Sequence, residues 1–129
     1  MLQRRSKGSP MTEDVLIPFT FPEPHAKLGG LMALSDDGLA LEYQTRSFFS
    51  VRERFRKIPF HQIQDLRVRL VRPGWFRRKL VVIEISTRSL QPLRGMPGTL
   101  REKLWLWTQQ ENLGQARCLE QVTMLKLIE

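Results

Sequence analysis

Cysteine is nearly absent from this chain: Cys118 is the only one in 129 residues. A lone cysteine excludes an intramolecular disulfide and fits a reducing, cytoplasmic setting. Histidine is almost as scarce. His25 and His61 stand far apart, with no metal-ligand spacing and no cysteine pair beside them. Phosphate-cradling loops, dinucleotide fingerprints and nucleophile elbows are missing as well. With no catalytic constellation and no cofactor motif, the sequence points away from an enzyme. No apolar run approaches the roughly 20 residues of a membrane helix. The opening "MLQRRSKGSP" is basic, but no apolar stretch of signal-peptide type follows it. Residues 1–12 are read as a flexible basic arm or an upstream extension, and residues 13–129 as one domain.

Acidic residues are the next shortage. From Arg46 to Lys79 eleven Lys and Arg face only Glu53 and Asp65, while the rest of the chain nets −1 of the total +8. Positive charge concentrated in this way suits an anionic partner: a lipid surface, an acidic protein face or nucleic acid. Basic side chains that merely solvate strand faces are the competing explanation.

The dominant hydrophobic period is two. "LALEY" (39–43), "LRVRLV" (66–71) and "KLWLW" (103–107) alternate as half-buried antiparallel strands do. "KLVVIEIS" (79–86) is apolar on both faces, as a strand covered on both sides would be. Turn signals at "SDDG", "RSFFS", Pro59, "PG" (73–74) and "QPLRGMPG" divide the chain into seven expected strands. These lie at about 15–21, 30–35, 38–45, 51–58, 65–72, 77–87 and 102–108, with edges good to about 2–4 residues. The period then changes. Thr108 and Glu111 have capping-box spacing, and Leu113, Ala116, Leu119, Val122 and Leu125 recur on one face of an amphipathic helix. Gly114 near its start suggests close packing, and Cys118 a small, partly buried helical position.

Seven antiparallel strands and one C-terminal helix, with "GGLMALSDDGLALEYQTR" and "KIPFHQIQDLRV", resemble bacterial pleckstrin-homology-like (GRAM-type) domains. Gly30, Leu34, Ser35, Leu39, Leu41, Ile58, Pro59 and Ile63 carry the likeness. The resemblance implies a mainly β fold, a partly open barrel of two antiparallel sheets with one end plugged by the helix. It also implies a binding module for anionic lipids or proteins. Lipid binders of that class usually hold phosphates around the first hairpin. Here "PFTFPEPHAKLGG" offers only His25 and Lys27 beside Glu23, so the basic residues lie elsewhere.

"VRLVRPGWFRRK" (68–79) is the strongest functional candidate. An L-Pro-Gly pair twists against a two-residue hairpin, so the loop is expected to widen to about Arg72–Phe76. Trp75 and Phe76, flanked by Arg72, Arg77, Arg78 and Lys79, suit a membrane interface. Arg52, Arg54 and Arg56 are expected on one outward face beside Glu42, Gln44 and Arg46, with Val51 and Phe55 on the other. Arg67 and Arg69 are expected to point outward too, extending the anionic-surface site. With Leu104 and Leu106 inward, Trp105 and Trp107 fall on the opposite face, as do Leu80 and Val82. These four form a candidate protein-interaction or homo-oligomer surface, unless the indoles turn inward or lie beneath the arm or the 88–101 connection. Nonspecific nucleic-acid binding through the basic strands is the third possibility.

Overall fold

A computed structural model describes residues 15–22, 28–46, 49–72, 74 and 78–128. Among the described residues eight strands form one antiparallel sheet: β1 (Leu16–Thr20), β2 (Gly29–Leu34), β3 (Gly38–Arg46), β4 (Val51–Pro59), β5 (Ile63–Val71), β6 (Leu80–Thr87), β7 (Thr99–Leu100) and β8 (Lys103–Gln109). Helix α1 (Leu113–Leu127) follows a 3-10 turn at Gln110–Asn112. The strand order is β4-β3-β2-β1-β8-β6-β5, with the short β7 paired to β8. The sheet does not close, and β4 and β5 stand at its two ends. The expectation of a mainly β, partly open barrel with one C-terminal helix therefore holds. The two halves expected as separate sheets are continuous through a narrow seam, the Thr20–Trp107 pairing of β1 with β8.

Alternation sets which residues fill the interior. Ile17, Met32 and Leu41 stand side by side across β1–β3, and Leu66, Ile85 and Leu104 across β5, β6 and β8. All six are essentially inaccessible and belong to one continuous core. Burying such side chains contributes roughly 1.5–3 kcal/mol each. Phe21 adds edge-on aromatic contacts to Phe19 and Tyr43, with ring centroids 5.4 and 5.9 Å away. The "GG" at the start of β2 is a packing requirement: a Cβ on Gly30 would collide with the Glu42 carbonyl of β3. Val82 points outward yet is only 7 % exposed, so the outer face of β6 is covered in part, while Leu80, Glu84 and Ser86 on it stay partly exposed.

The helix begins later than the sequence suggests. Thr108 is a buried strand residue, not the N-cap, because its hydroxyl donates to the Pro18 carbonyl at 2.6 Å and accepts from Asn112 at 2.9 Å. β8 consequently runs on to Gln109. Ala116, Leu119 and Thr123 form the fully buried helix face, with Leu113, Cys118 and Val122 packed beside them. Leu125 departs from the expected stripe and is exposed. Gly114 is exposed too, and a Cβ there would touch nothing within 4 Å, so it is not a close-packing position.

Three polar side chains of the helix bind the backbone of the sheet. Glu120 accepts from the Val68 N–H at 3.1 Å, and Arg117 donates to the Val68 carbonyl at 2.8 Å. Gln115 accepts from the Leu16 N–H at 2.9 Å. The helix thus satisfies backbone groups on β5 and β1 that the sheet leaves open.

Candidate functional site

Pro18 has no N–H and so cannot continue the β1 ladder beyond Thr20 toward β8. Extending the Thr20–Trp107 register would set Pro18 opposite Gln109. There the strands are instead bridged by the Thr108 hydroxyl, which satisfies the Pro18 carbonyl. A cleft of about 530 Å³ opens at this divergence. Pro18, Leu80 and Trp107 supply apolar lining, and Thr20, Gln109, Gln110 and Asn112 supply polar groups. Arg78, Lys79 and Glu111 carry its charges. This volume lies within the range of small-ligand sites, which run to roughly 300–1,000 Å³. Such a lining can hold an apolar or planar group against the indole while two cations meet an anion. Among the described residues, its lining includes no histidine or cysteine.

The basic hairpin reaches this same end of the molecule. β5 stops at Val71, which pairs with Leu80 at the start of β6. The connection is therefore 72–79, wider than the expected Arg72–Phe76. Arg72, Arg78 and Lys79 are exposed. None of the ion pairs formed among the described residues involves them. Trp75, Phe76 and Arg77 lie outside the described residues, as do His25 and Lys27 of the first hairpin. Leu80 and Trp107, expected on a protein-binding face, line the cleft together with Arg78 and Lys79. Trp107, distant in sequence, thus meets the basic connection and the adjoining Leu80 at one place.

The remaining basic residues do not join them. Arg67 pairs with Asp65 at 2.8 Å, and Arg69 approaches Glu84 at 3.6 Å. Glu84, mostly buried, also accepts Lys103 at 2.9 Å. Arg67 and Arg69 do face outward, but within a cluster in which three cations share two acids. On β4 the expected faces are reversed. Arg52, Arg54 and Arg56 stand across from Thr45, Tyr43 and Leu41, on the side that faces the barrel interior. Ile58 explains this: it is buried against Leu39 and shares its parity with the arginines. Val51 and Phe55 turn outward and are 49 % and 62 % exposed. Arg56 is a structural clamp that donates to the carbonyls of Pro92 at 2.7 Å and Arg94 at 2.9 Å. Arg54 lies 3.5 Å from the Thr45 hydroxyl, and Arg52 is exposed.

The proposed apolar protein-binding face is also revised. Trp105 and Trp107 do point away from Leu104 and Leu106, but both are partly buried, Leu80 likewise, and Val82 is buried. Cross-strand neighbours Arg69 and Trp107 flank Val82. On the sheet, exposed apolar side chains are found instead on the outer face of β1, β2 and β4, at Leu16, Leu31, Val51 and Phe55; others lie outside it, at Phe49 and Leu90 and on the helix at Met124 and Leu125. Sequence reasoning missed this strip. The parity of Ile58 was the available signal for its β4 part.

Among the described residues, no helix is long and apolar enough to cross a membrane, and no group of three or more His, Cys, Asp or Glu is placed to hold a metal ion. No family model, curated protein or solved structure matches the chain.

Proposed function

We propose that this chain is a non-catalytic, pleckstrin-homology-like binding module of the cytoplasm that docks on anionic membrane through its β5–β6 end. The element order and C-terminal helix support the family reading. The observation that carries the docking reading is the placement of Arg72, Arg78 and Lys79. All three are exposed and outside any ion pair among the described residues, and two of them line the Trp107 cleft. Near an anionic surface each basic residue contributes about 1 kcal/mol. Trp75 and Phe76, on the same connection by sequence, are suited to enter the headgroup region. Arg67, Arg69 and Arg56 are left out of the docking surface, because each already has acidic or carbonyl partners.

Co-sedimentation with vesicles of 30 mol% phosphatidylserine in phosphatidylcholine (an arbitrary working composition, about one anionic lipid in three) tests this reading. Binding should weaken in pure phosphatidylcholine, in raised salt and in the Trp75→Ala/Phe76→Ala variant. Equal, negligible sedimentation under all these conditions would sink it.

A further inference from the structure

The two ends of the sheet are finished differently. At β5, Glu120 and Arg117 of the helix occupy the N–H and carbonyl of Val68. At β4, Arg56 ties the C-terminal half of the strand to the 91–94 turn. The N-terminal half, Val51 to Phe55, is exposed at every residue, and among the described strands β4 pairs with β3 alone. An edge of this kind presents backbone donors and acceptors to an incoming strand.

Its side chains specify what that strand would be. Arg52 and Arg54 project from one face, and Val51 and Phe55 from the other. Glu53 between them is engaged by the Gln44 amide at 3.3 Å. Self-pairing centred on Glu53 would set Arg52 against Arg54, which like-charge repulsion disfavours. We propose that the Val51–Phe55 edge of β4 accepts an extended acidic peptide as an added strand. Acids would stand opposite Arg52 and Arg54, and apolar residues opposite Val51 and Phe55. Backbone hydrogen bonds would supply affinity and the arginine pair the charge selectivity. The competing role for the arginines is to guard a bare edge against aggregation.

The test uses the full chain, isotope-labelled for NMR, and the capped peptide Val-Glu-Thr-Glu-Val, which presents the same pattern in either strand direction. Saturable shifts and slowed amide exchange confined to residues 51–55 are expected. Arg52→Glu/Arg54→Glu, checked for folding by circular dichroism, should bind it about tenfold or more weakly and gain affinity for Val-Lys-Thr-Lys-Val. Any of four results overturns the proposal. These are no saturable binding of either peptide, equal affinity for a backbone N-methylated acidic peptide, shifts centred on the Trp107 cleft, or a wild-type dimer formed through β4.

Discussion

Leu39 and Ile58 face each other across the β3–β4 ladder, and both are completely buried. This pairing fixes the parity of all of β4, because a strand's side chains alternate strictly. It sends Arg56 toward the open side of the barrel, where it meets the 91–94 turn, and leaves Phe55 in solvent.

Arg56→Ala should therefore behave as a core-boundary mutation rather than a surface one. Two carbonyls lose a charged donor, at a cost of about 1–3 kcal/mol. Arg56→Lys should recover only part of this, since an ammonium cannot span both acceptors in the same fork. Urea denaturation measures both effects. A loss within error of zero for Arg56→Ala would remove the clamp from the description.

The helix clamp on β5 makes a local prediction. Glu120→Ala leaves the Val68 N–H without its acceptor and should cost about 1–2 kcal/mol. Hydrogen exchange at Val68 should accelerate beyond what the global stability loss explains. Unchanged relative protection there would mean that the Glu120 contact is unimportant in solution.

Two glycines should respond in opposite directions. Gly30→Ala drives a methyl into the Glu42 carbonyl and should destabilise by more than about 2 kcal/mol through a forced shift of β2 against β3. Gly114→Ala enters open space on a helix and should stabilise by about 0.5–1 kcal/mol. Thermal unfolding of the two variants gives the signs directly.

Acid should expose one surface pairing. The side-chain hydrogen bond from Lys57, at 2.9 Å, holds Asp37 below the ordinary carboxylate range. A carboxyl with a lowered folded-state pKa contributes its stabilisation above the unfolded value and loses it as pH falls through the folded one. The stability gap between wild type and Asp37→Asn should be present at neutral pH and vanish on the acid side. A gap that persists or widens in acid contradicts this.

The strands were legible because alternation is a direct consequence of half-burial: Leu66, Val68, Leu104 and Leu106 are buried as their spacing requires. β4 misled for a physical reason. Val51 and Phe55 are apolar and suggest an inward face, yet an end strand extends beyond the core, and only Ile58 on it is buried. The helix start was obscured because Thr108 has capping-box spacing but spends its hydroxyl on Pro18. β7, only two residues long, is set by the turn that carries Arg101 at positive φ, and alternation cannot register so short a pair. The basic segment was legible as charge but not as a site. Arg67 and Arg69 find acids in space, while Arg78, Lys79, Leu80 and Trp107 are gathered by the β1–β8 divergence, which no local pattern reports.

The docking claim is tested most directly by charge-matched reversal. Arg78→Glu/Lys79→Glu and Arg52→Glu/Arg54→Glu change the net charge equally at two different places. Sedimentation with phosphatidylserine-containing vesicles at near-physiological salt should be lost for the first pair and largely retained for the second. Equal loss in both would show that overall charge governs binding, and retention in the first pair would contradict docking through the β5–β6 end.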